Sequence, residues 1–122
     1  MNNYKNGKQI REKVIGKEKS QAISDSLADI APIIDEKILS AFDEVQKRNV
    51  ISLKQREMLT LTSLATQGDT SNQLELHIRA SLNIGLTKEE IVEVFVHCLP
   101  YIGFPKTLNA IAVTKKVFAN SK

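Results

Sequence analysis

Helix-start chemistry recurs three times in the second half of this chain: Ser52 with Gln55, Thr70 with Gln73, and Thr87 with Glu90. In each pair a hydroxyl stands three residues before a side chain that can bond back to the cap nitrogen, the arrangement that closes the first turn of an α-helix. Gly68 and Gly85 follow the first two periodic stretches, where a left-handed residue ends a helix without a Cβ clash. The spacing predicts helices over 52–67 and 70–84, and a third from Thr87 to about Leu99, because Pro100 lacks a ladder donor and disfavours helical geometry in the residue before it. Tyr101 to Phe104 then read as a connector. Pro105 suits the first turn of a last helix that buries Leu108, Ile111, Ala112 and Val117.

No segment alternates with the two-residue rhythm of a half-buried strand, so the expected fold is all-α. Upstream, Ile23, Leu27 and Ile30 mark one short helical face. Ile33, Ile34, Ile38, Leu39, Phe42 and Val45 mark a longer one, with a bend near Ala31 before Pro32. Lysines and arginines crowd positions 1–19 while the rest of the chain is nearly balanced and mixed in sign, so a net charge of +3 describes a basic arm rather than a basic face. With 5% aromatic residues, no Trp and no zinc-finger or RNA-recognition signature, a nucleic-acid module is excluded as the working reading. No run approaches the roughly 20 apolar residues that span a bilayer. Cys98 is the only cysteine, and the N-terminal residues carry no apolar leader, so a soluble protein of the reducing cytoplasm is expected.

Both histidines fall within one short region. On the helix from Thr87, Glu93 and His97 share a face four residues apart, with Ile91, Val92, Val94, Phe95, Val96 and Leu99 covering most of the rest, as for a central helix. Such a pair serves either acid–base chemistry or a structural network. His77 lies one helix earlier at the border of the face formed by Leu74, Ile78 and Leu82, where a satisfied core histidine is the alternative to a catalyst. Glu57 lies near the stripe of Leu53, Leu61 and Leu64. His77, Glu93 and His97 are the residue types of a two-histidine, one-carboxylate metal site, but their spacing is no ligand motif, and no metal or organic cofactor is expected. Cys98 on an apolar helix reads as a small buried residue.

The order of landmarks carries a resemblance. Arg56-Glu57 opens a Leu- and Thr-rich helix that Gly68 ends, and Leu74-x-x-His77 follows. Then come Ala80-Ser81-Leu82-x-x-Gly85-Leu86-Thr87-x-x-Glu90-Ile91-x-Glu93, and Tyr101-x-Gly103-x-Pro105 before Asn109-Ala110. Over about residues 30–119 this resembles the carboxymuconolactone decarboxylase family, within the superfamily of alkylhydroperoxidase D-like proteins. The resemblance implies a compact bundle of six to seven helices, with residues 1–29 as a basic helical extension and 30–122 as the family domain. It also implies a homo-oligomer, commonly a hexamer, with pockets near subunit contacts. The limited core of a 122-residue chain favours association on physical grounds too.

The redox branch of that superfamily carries Cys-x-x-Cys-x-x-x-His, whose histidine corresponds to His77 and whose cysteines correspond to Thr70 and Gln73 here. A dithiol cycle needs an attacking and a resolving thiol, so a peroxiredoxin-type activity lacks its means. The decarboxylase branch implies cofactor-free loss of carbon dioxide from a small acidic lactone. In that reading His77 is the proton donor, Glu57 and Glu93 set its tautomer and charge, and His97 is a second acid or polar wall. Lys54, Arg56 and Arg79 are the nearby cations, although Arg79 points away from His77 on a helix. The alternatives are an antioxidant thiol protein and a non-catalytic oligomeric binding protein. No nucleic-acid or membrane partner is expected.

Overall fold

The computed structural model describes residues 3–120, and among them it is helical without strands. Seven α-helices run in order: α1 Asn3–Ile15, α2 Lys17–Ala28, α3 Pro32–Ala41, α4 Leu53–Gln67, α5 Ser71–Asn83, α6 Lys88–Ile102 and α7 Phe104–Ala119. α3 continues into a wider π turn, Phe42–Gln46, in which Lys47 N–H reaches back five residues to the Phe42 carbonyl. The chain forms two compact units that meet in sequence between Leu53 and Lys54, at the start of α4.

In the first unit α1 packs on α3 and on the π turn, and α2 packs on both α1 and α3. The close approach of α1 to α3 is set by Gly7, which is buried against the Leu39 carbonyl. A Cβ at this position would run into that backbone oxygen, which no rotamer change can move. Gly7→Ala is expected to destabilise the protein by about 1–3 kcal/mol, read as a lower denaturant midpoint at unchanged slope. The apolar core of this unit is small, with Val14, Ile15 and Leu39 buried, while Ile30, Ile33, Ile34 and Val45 are exposed. The faces expected from the spacing of these isoleucines are therefore only partly used. Instead, a buried Arg11 binds the three helices from inside. Its guanidinium donates to the Ser20 hydroxyl (2.7 Å) and carbonyl (3.0 Å), to the Ser24 hydroxyl (2.6 Å) and to Asp35 (2.7 Å). Ser24 completes the ring with its own bond to Asp35 at 2.8 Å.

The second unit holds the apolar core of Leu61, Ala65, Leu74, Ile78, Leu86, Ile91, Phe95, Ala110 and Val117. The Thr87–Glu90 capping box forms, with the hydroxyl accepting from Glu90 N–H (3.0 Å) and the carboxylate from Thr87 N–H (2.8 Å). Gly85 ends α5 at φ 104°, where Leu86 N–H bonds the Ser81 carbonyl at 2.9 Å, a Schellman closure. The Thr70–Gln73 box does not form. Gly68 and Asp69 both take positive φ and turn Thr70 back on α4, where its hydroxyl donates at 2.6 Å to the Leu64 carbonyl, which also accepts from Gly68 N–H at 3.3 Å.

Three further expectations change. α6 runs through Pro100 to Ile102 and is ended by Gly103 at φ 87°, so the connector shrinks to one residue. The carbonyl that Pro100 cannot serve belongs to Val96, on the exposed side of the helix, where water can replace the lost donor. α6 is not covered all round: Ile91, Phe95 and Cys98 form its buried row, while Glu93, Val96, His97 and Tyr101 face outward. On α7 the buried row is Thr107, Ala110, Thr114 and Val117, and Leu108 and Ala112 are exposed. Thr114 is tolerated in the core because its hydroxyl bonds the Ala110 carbonyl at 2.8 Å. No described helix is long and apolar enough to cross a membrane.

Candidate active site

Starting α4 directly after Ser52 puts Glu57, Leu61 and Ala65 on one buried row, so a carboxylate occupies a position whose neighbours along the helix belong to the core. Capping α5 near Thr70 puts Leu74, Ile78 and Ser81 inward and leaves His77 at the edge of that face. The two rows meet at a hydrogen bond of 2.8 Å between His77 Nδ1 and Glu57 Oε1, with the glutamate side chain 4% exposed and the imidazole 20% exposed. An ionised carboxylate only accepts, so with Glu57 charged Nδ1 carries the donated proton, and Nε2 is the ring nitrogen left for a substrate. Nε2 makes no hydrogen bond among the described residues. Ser81, fully buried, donates to the His77 carbonyl at 2.7 Å from the next turn of α5.

Glu93 and His97 stand differently. Both are exposed on α6 and line an open groove of about 320 Å³ whose floor is Met58, Leu59, Thr62 and Val94. Neither makes a hydrogen bond or ion pair among the described residues, and His97 stacks obliquely on Tyr101 with ring centroids 5.5 Å apart. The groove lining includes neither Glu57 nor His77. The structure thus brings together Glu57 and His77, and separately sets Glu93 and His97 side by side without a bond between them. The α4 wall was not singled out from the sequence. Its signal is a second apolar stripe, Met58, Leu59 and Thr62, offset from the Leu61 stripe that points into the core.

Of the three cations, Arg79 is turned away from His77 and donates to Glu75 at 3.2 Å. Lys116 also donates to Glu75, at 3.0 Å. These bonds, Lys116 first and Arg79 second, hold the Glu75 carboxyl below its ordinary 4.5. Because that value is depressed by folding, the stabilisation is present above about pH 4.5 and fades as pH falls through the lowered value. The Lys54 side chain lies over Gly85 at the C-terminal end of α5, where a cation meets orphan carbonyls, and Arg56 is half-buried beside Glu57 in sequence. Cys98 is buried with Sγ 3.8 Å from the Thr62 hydroxyl, as a small core residue. Among the described residues no three His, Cys, Asp or Glu side chains are grouped to hold a metal ion.

The order of these elements matches known proteins. Residues 37–116 match the profile of the Carboxymuconolactone decarboxylase family. The chain is 30% identical over 116 residues to the 4-carboxymuconolactone decarboxylase of Acinetobacter baylyi, spanning 94% of this chain and 86% of that one. It is also 30% identical over 117 residues to the nitrosuccinic acid decarboxylase npaB of Metarhizium robertsii, spanning 93% and 79% respectively. An uncharacterized 15.0 kDa protein of Paracoccus denitrificans is 29% identical over 79 residues, 64% of this chain and 59% of that protein. Matched by the family profile over residues 37–116 and 30% identical to a curated member over most of its length, the chain belongs to the carboxymuconolactone decarboxylase family, within the alkylhydroperoxidase D-like superfamily.

Proposed function

We propose that the protein decarboxylates a small acidic lactone, or a similarly activated small acid, by acid–base chemistry centred on His77 and without a metal or organic cofactor. The observation that carries this reading is the 2.8 Å bond from a buried carboxylate to Nδ1 of a half-buried imidazole. In the reaction the bond to the departing carboxylate breaks and carbon dioxide leaves. The electron pair stays on the substrate, delocalised into the neighbouring electron-withdrawing group. The donor is the doubly protonated ring, with Nδ1–H on Glu57 and Nε2–H toward the substrate: Nε2 gives its proton to the carbon, and water then reprotonates Nε2 and leaves as hydroxide. Glu57 positions the imidazole and balances its charge. Arg56 and Lys54 are the cations for the remaining substrate carboxylate, and Glu93 and His97 form the polar wall of the adjoining groove.

The two relatives named as decarboxylases act, by their names, on a lactone and on a nitro-substituted acid, and both groups can accept an electron pair. The antioxidant reading is not favoured, since Thr70 and Gln73 stand where a dithiol is needed. Tyr101, Phe104 and Leu108 are exposed around the α6–α7 corner, an apolar surface that supports assembly into a homo-oligomer, which we take to be a hexamer. We place the protein in the cytoplasm and regard residues 1–29 as an addition to the family domain. The test offers 4-carboxymuconolactone and nitrosuccinic acid separately to the protein in chelator-treated buffer and follows carbon dioxide release. Turnover of at least one acid, undiminished by chelator, is expected. Failure with both, or dependence on added metal, overturns the proposal.

A further inference from the structure

The apolar spacing of α3 finds little use inside the first unit. Ile33 and Ile34 remain 55% and 49% exposed, and Val45, in the π turn, 48%. Ile33, Lys37, Ala41 and Val45 follow one another at four-residue intervals and so form one row along the helix. Such a row drifts by about 40° at each step of a regular α-helix. The wider turn between Ala41 and Val45 takes this drift back, and all four positions stay exposed. Leu39 and Asp43 are the buried residues of the same stretch. Keeping an aliphatic strip of this kind in water is unfavourable, and such a strip marks a contact surface.

The flanking charges specify what covers it. Lys37 stands one turn before Ala41 and Glu44 one turn after it, both exposed. Neither side chain makes a hydrogen bond or ion pair among the described residues. The strip thus carries a cation in one half and an anion in the other, with a small residue between them. Turned end for end, it presents each charge to its opposite. Two α3 helices laid antiparallel would therefore set Lys37 against the partner's Glu44 twice and Ile33 against the partner's Val45 twice. Ala41 allows the axes to approach and leaves room for the aliphatic stem of the partner's Lys37. A two-fold contact requires a surface that matches itself in this way, and a foreign partner would not.

We propose that the exposed row of α3 is a two-fold docking surface for a second copy of this chain, with α3 antiparallel to the partner's α3. The surface is distinct from the α6–α7 corner and does not rest on the decarboxylase reading.

The test is sedimentation equilibrium of the full-length protein and its variants at micromolar concentrations, with circular dichroism melts to check folding. The parent should self-associate. Ile34→Asp should halve the limiting mass whether the parent ends as a dimer or a hexamer, because loss of a two-fold contact splits either into halves. Lys37→Glu and Glu44→Lys each turn both attractive pairs repulsive, and each should weaken association on the order of tenfold or more. Combining both reversals in one chain should restore association. Mixing the two single variants should restore it as well, since every cation in the mixed pair again meets an anion. The mixing arm keeps its force even where Ile34→Asp fails to fold. A monomeric parent, which would leave the strip to a foreign protein or another part of the chain, overturns the proposal. So does association unmoved by the single reversals, or not recovered on mixing.

Discussion

His77→Ala is expected to lower kcat for decarboxylation by a factor on the order of 10²–10⁴, the usual contribution of a positioned general acid, while leaving the fold intact. The fold should tolerate the change because the imidazole is at the edge of the α5 core face, one-fifth exposed, and not within the cluster around Phe95. Glu57 is a different case. Removing the imidazole leaves a buried carboxylate without its partner, so the alanine variant should also lose some stability. His77→Gln retains a side-chain donor toward Glu57 and separates the two effects: it should keep the melting temperature close to that of the parent and still lose the activity. Circular dichroism melts beside steady-state rates on whichever acid is turned over decide the matter. A His77→Gln enzyme with parental kcat would remove His77 as the proton donor. Glu57→Gln should be the milder lesion in proton donation itself, but its amide can present either end to Nδ1 and so no longer fixes which ring nitrogen is protonated. Its signature is an altered pH profile of kcat as well as a lower plateau, and a merely structural glutamate would change stability without moving the profile.

Arg11→Met should produce the largest loss of stability, about 3–5 kcal/mol, the range seen when one member of a buried ion pair is removed. Arg11 is fully buried, and four of its hydrogen bonds reach α2 and α3. With methionine in its place, Asp35 is left largely buried without a counter-charge, and the Ser20 and Ser24 hydroxyls lose their shared donor. Few apolar contacts in this unit can compensate, because Ile30, Ile33 and Ile34 already face outward. Native-state hydrogen exchange should show amides of α1–α3 opening at much lower free energy. The double variant Arg11→Met with Asp35→Asn should recover part of the loss, since it removes the uncompensated charge. Unchanged exchange across α1–α3 in Arg11→Met would refute the view that this network holds the unit together.

The helical class and most helix ends of the second unit were legible because they are local. A capping box, a glycine at positive φ and a periodic apolar stripe each act within a few residues, so Thr87 with Glu90, Gly85, and the row through Leu61 could be read directly. Pro100 misled because the cost of its missing donor depends on whether the freed carbonyl faces solvent, which is a property of packing. Thr70 misled because its hydroxyl had two possible partners, and the backbone turn at Gly68 and Asp69 selected the more distant one. In the first unit, apolar spacing suggested faces that are only partly buried, while the arginine that organises the core looked from the sequence like one more charge in a basic arm.

By itself the chain's order of residues determined an all-helical protein, its family, and the residue types available for acid–base work, since these follow from short-range backbone preferences and from matching a pattern. Tertiary structure alone decided which of those groups meet. Glu57 and His77 are twenty positions apart and touch only because the buried rows of α4 and α5 converge, whereas Glu93 and His97, neighbours on one helix turn, are left unbonded on an exposed face. The physical reason is that a hydrogen bond needs atoms within about 3 Å of each other in the right direction. Spacing along a helix fixes only which way a side chain points, while the packing of one helix on another fixes what it meets there.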